Sequence, residues 1–201
     1  IRTGAMGAIG AKYLAREDAK VAGIIGCGVQ ARTQLEGLTK VCKLEKVKIY
    51  DTKDESMDKF IEDMSDLGVT IEKSDAEGVQ DADIVVAATV SSKPVVTNVK
   101  AGTHITSIGA HTPDAREVGD DIMQKAKVVI GSPDALKSGD LKDYKKELVE
   151  IKDVISGKKV RASDDEITVF KSVGTALQDV AIATLAYEKA KKAGIGQEVK
   201  L

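Results

Sequence analysis

A glycine-rich turn constrains the fold of this chain more than any other feature of the sequence. Gly26, Gly28 and Ala31 follow the G-x-G-x-x-G/A spacing directly after the short apolar run Val21–Ile25. Such a run, rich in branched side chains, is typical of a buried parallel strand. Gly26 allows a sharp turn off the strand, and Gly28 leaves the backbone open to a phosphate. The small residue at position 31 lets the following helix pack closely on the sheet.

The residues after the turn complete the pattern of a dinucleotide site. A helix is predicted to begin near Gln30, so that its first amides face the phosphates. A second strand, Val47–Tyr50, leads into Asp51, which lies about 20 residues beyond the turn, where a ribose-binding carboxylate is expected. A carboxylate there repels a 2′-phosphate, which favours NAD over NADP. In the alternative interpretation Asp51 only starts a turn and caps the helix beginning near Asp54. Separately, the positive charge of the nearby Lys53 weakens the repulsion of a 2′-phosphate.

Apolar runs alternate with helical stretches over most of the remaining chain. The further predicted strands are Val69–Ile71, Ile84–Ala88, Thr103–Gly109, Lys127–Ile130 and Glu166–Phe170. This β-α-β alternation predicts an α/β fold with a doubly wound parallel sheet, in which residues 19–174 form the dinucleotide-binding domain. Ligands bind such sheets at the carboxyl ends of the strands, so we expect residues 89–92 and 109–114 to face the cofactor.

Helices are predicted at both ends of the chain. The first, Thr3–Arg16, lies within residues 1–18 and is rich in small side chains, so we expect another element to pack very close to it. The last runs from Thr175 to about Lys192 within residues 175–201, and we expect it to pack against the first. The strongly charged residues 137–165 are predicted to form an exposed excursion from the sheet.

Composition excludes several classes of function. The net charge is −2, aromatic residues make up 3%, and the chain has no long basic block, which argues against a nucleic-acid partner. The two cysteines and two histidines have no metal-ligand spacing, so we expect no metal site. No apolar run approaches the ~18 residues of a membrane span, and the first residues do not resemble a signal peptide. With two free thiols, this predicts a cytoplasmic protein.

Four segments together resemble the ornithine cyclodeaminase/mu-crystallin family, which includes archaeal L-alanine dehydrogenases. They read R-T-G-A with K-Y-L-A-R, G-I-I-G-C-G-V-Q-A-R-T-Q, I-G-A-H-T-P-D-A-R-E, and E-I-T-V-F-K-S-V-G-T-A-L-Q-D, in order along the whole chain. The resemblance implies a Rossmann-type domain that binds NAD. Members of the family carry an additional N-terminal domain, which makes the dimer contacts and holds part of the substrate site, and we expect this chain to lack it. We therefore expect a homodimer where that domain is present.

The resemblance also implies roles for particular residues. Arg2 matches the arginine that holds the substrate carboxylate, which suits the planar fork of a guanidinium group. The residues that match cofactor-binding positions are Gly26, Gly28, Val29, Gln30 and Asp51 in the dinucleotide cradle, Thr89 and Ser91 in the loop beside the cofactor, and Lys171, Ser172, Val173 and Gly174 in a turn that reaches the nicotinamide.

One position departs from the ornithine cyclodeaminase pattern. Those enzymes carry a catalytic aspartate in the loop after the fifth strand, whereas this chain has His111. Histidine can act as an acid or a base near neutral pH, so His111 is a catalytic candidate. The alternative, that it is a loop histidine hydrogen-bonded to backbone or ribose, stays open. His104 falls within an apolar strand, and we expect it to be a hydrogen-bonded core residue.

These observations lead to three functional hypotheses. The first is an NAD-dependent oxidoreductase acting on the amine or imine group of a small amino acid, with L-alanine, pyruvate and ammonia as the leading substrates. The second is an ornithine cyclodeaminase that converts ornithine to proline and ammonia. The third is a domain that binds NAD without catalysis.

Overall fold

The computed structural model describes residues 1–197 and 199, and its centre is one parallel β-sheet. Eight strands are found in this part of the chain: β1 (Val21–Ile25), β2 (Lys46–Tyr50), β3 (Thr70–Lys73), β4 (Ile84–Ala87), β5 (His104–Ser107), β6 (Lys127–Ile130), β7 (Val149–Glu150) and β8 (Thr168–Lys171). Every pair of neighbouring strands is parallel, in the order β3-β2-β1-β4-β5-β8-β6-β7. The prediction of a doubly wound parallel sheet is confirmed.

The strand order reverses between β1 and β4. From β1 the chain builds outward through β2 to β3, and it then returns to place β4 on the other side of β1. The loops that leave β1 and β4 therefore diverge and open a crevice at the carboxyl edge of the sheet. Crevices at this switch point are where open α/β sheets bind ligands.

Six α-helices are described. They are α1 (Arg2–Leu14), α2 (Val29–Val41), α3 (Asp54–Asp63), α4 (Asp120–Lys125), α5 (Ile151–Ile155) and α6 (Ala176–Ala193). Alternate residues of the central strands face opposite sides, so that Ile24 and Val86 pack with α2 and α3 while Ile25 and Val85 pack with α4. Both faces of the sheet are therefore covered by apolar side chains.

The close packing expected of α1 is present, and its partner is α2. A Cβ atom on Gly4 would lie 2.1 Å from the Thr33 carbonyl oxygen, so α1 lies directly against α2. By contrast, no residue of α6 is buried, and Leu177 is 79% exposed. The predicted contact between α6 and α1 is made by the first turn of α6, where Asp179 pairs with Arg2. The predicted unit 175–201 also includes residues 198, 200 and 201, which lie outside the described residues.

The prediction that residues 137–165 form an exposed excursion is wrong in two places. Gly139–Leu141 is buried beneath the loop that follows β5, and Ile151 and Val154 pack in a cluster with Leu14. The short elements β7 and α5 explain the burial of Ile151 and Val154. They put these two apolar side chains on the core side, while the charged residues between them face water.

His104 is the hydrogen-bonded core histidine that the sequence predicts. Its Nδ1 and Nε2 atoms lie 2.9 Å and 3.1 Å from the hydroxyl oxygens of Thr168 and Thr106. Burial, followed by the positive charge of Arg161, lowers the pKa of His104 to about 3. The ring is therefore neutral near pH 7 and lies at the amino-terminal end of β5, away from the crevice.

Within residues 1–197 and 199, none of the helices combines the length and the apolar character that crossing a bilayer requires.

Candidate functional site

Two adjoining cavities lie at the carboxyl edge of the sheet. The first, which we call the turn cavity, has a volume of about 500 Å³ and is lined by Gly26, Gly28, Asp51 and Ser91, among others. The second, which we call the arginine cavity, has a volume of about 250 Å³. Its lining includes Arg2, Gln30, His111, Ser172 and Val173. The two share the wall formed by residues 88–90, after β4. A ligand that fills both would span the switch point of the sheet.

The glycine turn has the geometry of a phosphate cradle. Gly26 has a φ angle of +88°, and a Cβ atom there would lie 2.6 Å from the Ala88 carbonyl oxygen, so the turn needs glycine. A Cβ atom on Gly28 would meet no described atom within 4 Å and would project into open space. In the described part of the chain no side chain caps the first turn of α2, so its amides remain available to an anion.

Asp51 both closes the turn and keeps capacity to bind a ligand. Its Oδ2 atom accepts a hydrogen bond of 2.8 Å from the Cys27 amide, and its Oδ1 atom accepts one of 3.0 Å from the Lys53 amide. The Thr52 hydroxyl also lies 3.5 Å from Oδ1, and Oδ2 has a further lone pair for a sugar hydroxyl. The alternative interpretation is correct that Asp51 starts a turn, and wrong that it caps α3, whose N-cap is Lys53 without a side-chain cap. The Lys53 side chain also lines the turn cavity.

Cys27 lies inside the turn and is buried. Burial first, and then the negative charge of Asp51, raise the pKa of its thiol to about 12. The thiol is therefore neutral at physiological pH and adds no negative charge beside the predicted phosphate position.

Arg2 is held in place at the arginine cavity from two sides. Its Nε atom donates a hydrogen bond of 2.8 Å to Asp179, and its guanidinium group lies over Gly174. Gly174 has a φ angle of +79°, and a Cβ atom there would lie 2.2 Å from Nη1 of Arg2. Since Asp179 takes Nε, the edge formed by the two terminal nitrogens remains for a ligand carboxylate.

His111 is exposed at the rim of the same cavity. Its Nδ1 atom lies 2.8 Å from the Gly109 carbonyl oxygen. A carbonyl oxygen only accepts hydrogen bonds, so Nδ1 carries the proton and Nε2 presents a lone pair. The backbone contact in the alternative interpretation of His111 is therefore present, and it leaves one ring nitrogen able to accept a proton.

Ser172 provides a second polar group in the arginine cavity. The residue is 2% exposed, and among the described residues its Oγ atom has no hydrogen-bond partner. Buried polar atoms in native proteins are usually hydrogen-bonded, so this hydroxyl is an exception in the wall of the cavity. Val173 follows it in the wall of the cavity.

The other predicted cofactor residues differ in their exposure and in the hydrogen bonds that their side chains already make. Val29 begins α2 and is 75% exposed beside the turn, while Gln30 faces the arginine cavity. The Ser91 hydroxyl donates a hydrogen bond of 2.7 Å to the Lys93 carbonyl oxygen. Thr89 faces both cavities, and its hydroxyl donates a hydrogen bond of 3.0 Å to Glu117.

The structure places Lys171 before the turn to which the family resemblance assigns it. Lys171 is the last residue of β8, its side chain is fully buried, and it lines neither cavity. Its Nζ atom lies 2.9 Å from the Ser107 hydroxyl oxygen and 3.0 Å from Asp140 Oδ2. A buried ammonium group needs a buried carboxylate, and Asp140 supplies it from a segment that the sequence predicted to be exposed.

Glu117 and Asp140 are the important residues that sequence reasoning missed. Glu117 is fully buried and accepts hydrogen bonds from the amides of Thr89 (2.7 Å) and Gly109 (2.8 Å). Asp140 in turn accepts the amide of Glu117 at 2.7 Å. The available signal was that Glu117 ends the conspicuous segment I-G-A-H-T-P-D-A-R-E. Nothing in the local pattern around Asp140 indicated burial.

In residues 1–197 and 199 no group of three or more His, Cys, Asp and Glu side chains is arranged to hold a metal ion.

Comparison with known proteins places this geometry in context. An alanine dehydrogenase from Archaeoglobus fulgidus is 41% identical over 212 residues, which cover 100% of this chain and 66% of that protein. The structure of an archaeal alanine dehydrogenase dimer with bound NAD has a TM-score of 0.91 and 40% identity, covering 99% of this chain and 66% of that one. The Δ1-pyrroline-2-carboxylate reductase of Thermococcus litoralis, solved with NADH and L-proline, has a TM-score of 0.92 and 41% identity. It covers 98% of this chain and 66% of that one.

The chain thus spans just under two thirds of the length of these relatives. The family model for the ornithine cyclodeaminase/mu-crystallin family matches residues 1–194. The resemblance seen in the sequence is confirmed, and the chain belongs to the ornithine cyclodeaminase/mu-crystallin family.

Proposed function

We propose that this chain binds NAD in the turn cavity and carries out oxidation or reduction at the C–N bond of a small α-amino acid in the arginine cavity. The observation that carries this proposal is that the two cavities share a wall, residues 88–90. A group made to hold a carboxylate, Arg2, therefore lies beside a cradle made to hold a dinucleotide.

The residues present fit NAD. Open space above Gly28 and the uncapped start of α2 suit the diphosphate, and the Asp51 carboxylate suits the ribose hydroxyls. The orphaned Ser172 hydroxyl suits a polar group farther along the ligand. Two of the similar structures hold this cofactor, one as NAD and one as NADH. When bound, NAD supplies the hydride acceptor or donor.

The chain's own residues then orient the substrate and move protons. The free edge of Arg2 binds the α-carboxylate, with the guanidinium group fixed by Asp179. His111 Nε2 accepts a proton from the substrate amine or from the water that adds to the imine, because Nδ1 already donates to Gly109. In the oxidative direction the substrate Cα loses hydride and its nitrogen loses a proton. Water then adds to the imine and ammonia leaves, which yields the keto acid.

L-alanine with pyruvate and ammonia remains the leading substrate set, because the A. fulgidus relative is an alanine dehydrogenase. Δ1-pyrroline-2-carboxylate is the second candidate, since the T. litoralis structure contains L-proline. Both need the same Arg2 contact, and they differ in whether the nitrogen is free or part of a ring. We also propose a homodimer, the assembly of the archaeal relative, and light scattering of the purified protein tests it.

Calorimetry and spectrophotometry on the same preparation test the proposal. We expect heat of binding with NAD or NADH, and a change in NADH absorbance with L-alanine or with Δ1-pyrroline-2-carboxylate. Ornithine converted to proline and ammonia without net NADH would replace this proposal by the cyclodeaminase. Tight NAD binding with none of these reactions would replace it by a binding function.

An arginine variant tests the carboxylate contact. Arg2→Lys keeps the charge and loses the fork, so we expect the substrate KM to rise about 10- to 100-fold, which corresponds to about 1.4–3 kcal/mol. Arg16→Lys is the matched control, because Arg16 pairs with Asp83 away from both cavities. Equal KM values for Arg2→Lys and the unmodified protein would remove Arg2 from the site.

A further inference from the structure

Glu117 holds together the two loops that form the shared edge of the cavities. Its Oε1 atom accepts hydrogen bonds from the amide (2.7 Å) and hydroxyl (3.0 Å) of Thr89, in the loop after β4. Its Oε2 atom accepts hydrogen bonds from the amides of Gly109 (2.8 Å) and Ala110 (3.2 Å), in the loop after β5. One fully buried carboxylate thus satisfies four donors on two loops.

The Glu117 carboxylate is itself held in place by Ser107, Asp140 and Lys171. The Ser107 hydroxyl lies 2.7 Å from Glu117 Oε2 and 2.9 Å from Asp140 Oδ2, and the Lys171 ammonium group lies 2.9 Å from the same hydroxyl. Asp140 also accepts the backbone amides of Glu117 and Val118. These contacts fix both the backbone and the side chain of Glu117, so its two oxygens have no freedom to follow a moving loop.

The anchored loop ends on His111. The peptide group that joins Gly109 to Ala110 presents the Ala110 amide to Glu117 Oε2 at 3.2 Å and the Gly109 carbonyl oxygen to His111 Nδ1 at 2.8 Å. The Gly109 amide adds a second contact to Oε2, at 2.8 Å. Gly109 has no room for a side chain, because a Cβ atom would lie 1.9 Å from the Thr89 carbonyl oxygen and 2.5 Å from Glu117 Oε1. The carbonyl that selects the imidazole tautomer therefore has its position set by Glu117.

We propose that Glu117 is a positioning residue that acts on His111 through the Gly109 backbone. It holds the proton of the imidazole on Nδ1 and keeps Nε2 as the base. The value of this arrangement to catalysis rests on the function proposed above. The arrangement itself is a property of the chain without any ligand, and it can be tested separately.

Nitrogen-15 NMR of the labelled protein reads the tautomer directly. The sequence contains two histidines, so two imidazole spin systems are expected, and His104 is an internal reference because its ring is buried between Thr168 and Thr106. The spectra are recorded at about pH 9, well above the ~6.5 at which a free imidazole ordinarily titrates. We expect His111 to be in the Nδ1–H form in the unmodified protein. A dominant Nε2–H form would overturn the proposal.

The key variant is Glu117→Gln, which keeps the shape and leaves an NH2 group facing two of the four donors. We expect the preference of His111 for the Nδ1–H form to fall about fivefold, the worth of one net hydrogen bond. Ser107→Ala removes one anchor of Glu117 and should give a smaller shift in the same direction, which keeps the test open if Glu117→Gln does not fold. Glu166→Gln is the control, because Glu166 accepts a backbone amide far from both cavities.

Two outcomes separate this inference from the proposed function. If both folded variants retain the Nδ1–H tautomer unchanged, Glu117 does not position His111 and the inference fails. If the tautomer shifts as expected while calorimetry detects no NAD binding to the unmodified chain, the inference stands and the proposed function fails.

Discussion

The turn cavity and the arginine cavity lie side by side but are built in different ways. The turn cavity is lined by two segments close in sequence, within residues 25–28 and 50–56, and by the loop after β4. The arginine cavity takes its polar groups, Arg2, His111 and Ser172, from three segments far apart in sequence. The first needs residues that leave space, and the second needs residues that hold other residues in place.

This difference explains where the buried charge lies. The turn requires no buried ion, since glycine and a helix terminus provide its chemistry. The arginine cavity rests on Glu117, Asp140 and Lys171, all nearly or fully buried, and on Asp179, which fixes Arg2. Substitutions of the buried supports of the arginine cavity should therefore lower folding stability. Substitution of a residue that only faces the turn cavity, such as Gly28, should instead change ligand affinity.

The largest expected effect is at Lys171. Lys171→Met removes the only cation within 3 Å of Asp140 in the described residues and leaves buried carboxylates uncompensated. Breaking a buried pair in this way costs about 3–5 kcal/mol of unfolding free energy, measured by urea denaturation. Lys152→Met is the control, because Lys152 pairs with Glu150 at the surface, where ion pairs contribute little to folding stability. Similar losses of unfolding free energy in the two variants would show that the buried residues Glu117, Asp140 and Lys171 do not support the arginine cavity.

A second large effect is a pH dependence that arises away from both cavities. The pKa of His104 is lowered to about 3 in the folded protein, while an unfolded histidine titrates near ~6.5. Between these values the unfolded chain binds more protons, so the stability that is present above about pH 6.5 is lost as the pH falls toward about 3. The loss attributable to His104 is on the order of 4 kcal/mol.

Urea denaturation at several pH values between about 6.5 and 4 measures how steeply the unfolding free energy falls as the pH is lowered. The upper limit of this range is the ordinary pKa of histidine. We expect the slope to be reduced in His104→Gln and retained in His111→Gln, because only His104 is buried. If the unfolding free energy changed equally with pH in the two variants, the pH dependence would belong to groups other than the buried His104.

The sequence predicted the turn cavity well because its determinants are local. A strand, two glycines, a small residue and a carboxylate at fixed spacing each have one physical reason to be there, and Gly26 and Gly28 lie where that reasoning puts them. The strands β1 and β6 also have their predicted limits, because each is a short, mostly apolar run that is followed directly by a glycine.

The supports of the arginine cavity escaped prediction because their partners are distant. Lys171 looked like a turn residue next to Ser172, and only the burial of Asp140 from a charged segment explains why it faces inward. Glu117 carried no sign of being buried, since a glutamate in a polar loop is ordinarily exposed. The family resemblance identified the segments that contain these residues, but a resemblance does not say which side chains face each other.

The two glycines of the turn offer a matched comparison within one motif. Gly26→Ala places a Cβ at positive φ against the Ala88 carbonyl oxygen, so we expect a loss of about 2–3 kcal/mol of unfolding free energy together with weaker NAD binding. Gly28→Ala meets no described atom and should change the unfolding free energy by less than about 0.5 kcal/mol. Its methyl group fills the approach of the diphosphate, so the NAD affinity should still fall about tenfold or more.

Thermal or urea denaturation and calorimetry on both glycine variants separate the two effects. Loss of stability in Gly28→Ala would show that the open space above this residue is closed in solution. Retained NAD affinity in the same variant would place the diphosphate elsewhere.

The smallest effect concerns the choice of dinucleotide at Asp51. Asp51→Asn keeps an oxygen that can accept the Cys27 amide but removes the charge that repels a 2′-phosphate. Because the Lys53 side chain lines the same cavity, we expect the ratio of NADP to NAD dissociation constants to fall about tenfold, by weaker NAD binding and stronger NADP binding together. Asp54→Asn is the control, since Asp54 is exposed and pairs with Lys73. If Asp51→Asn and Asp54→Asn both kept the NADP-to-NAD ratio of the unmodified protein, Asp51 would serve the turn alone and would not select between the two dinucleotides.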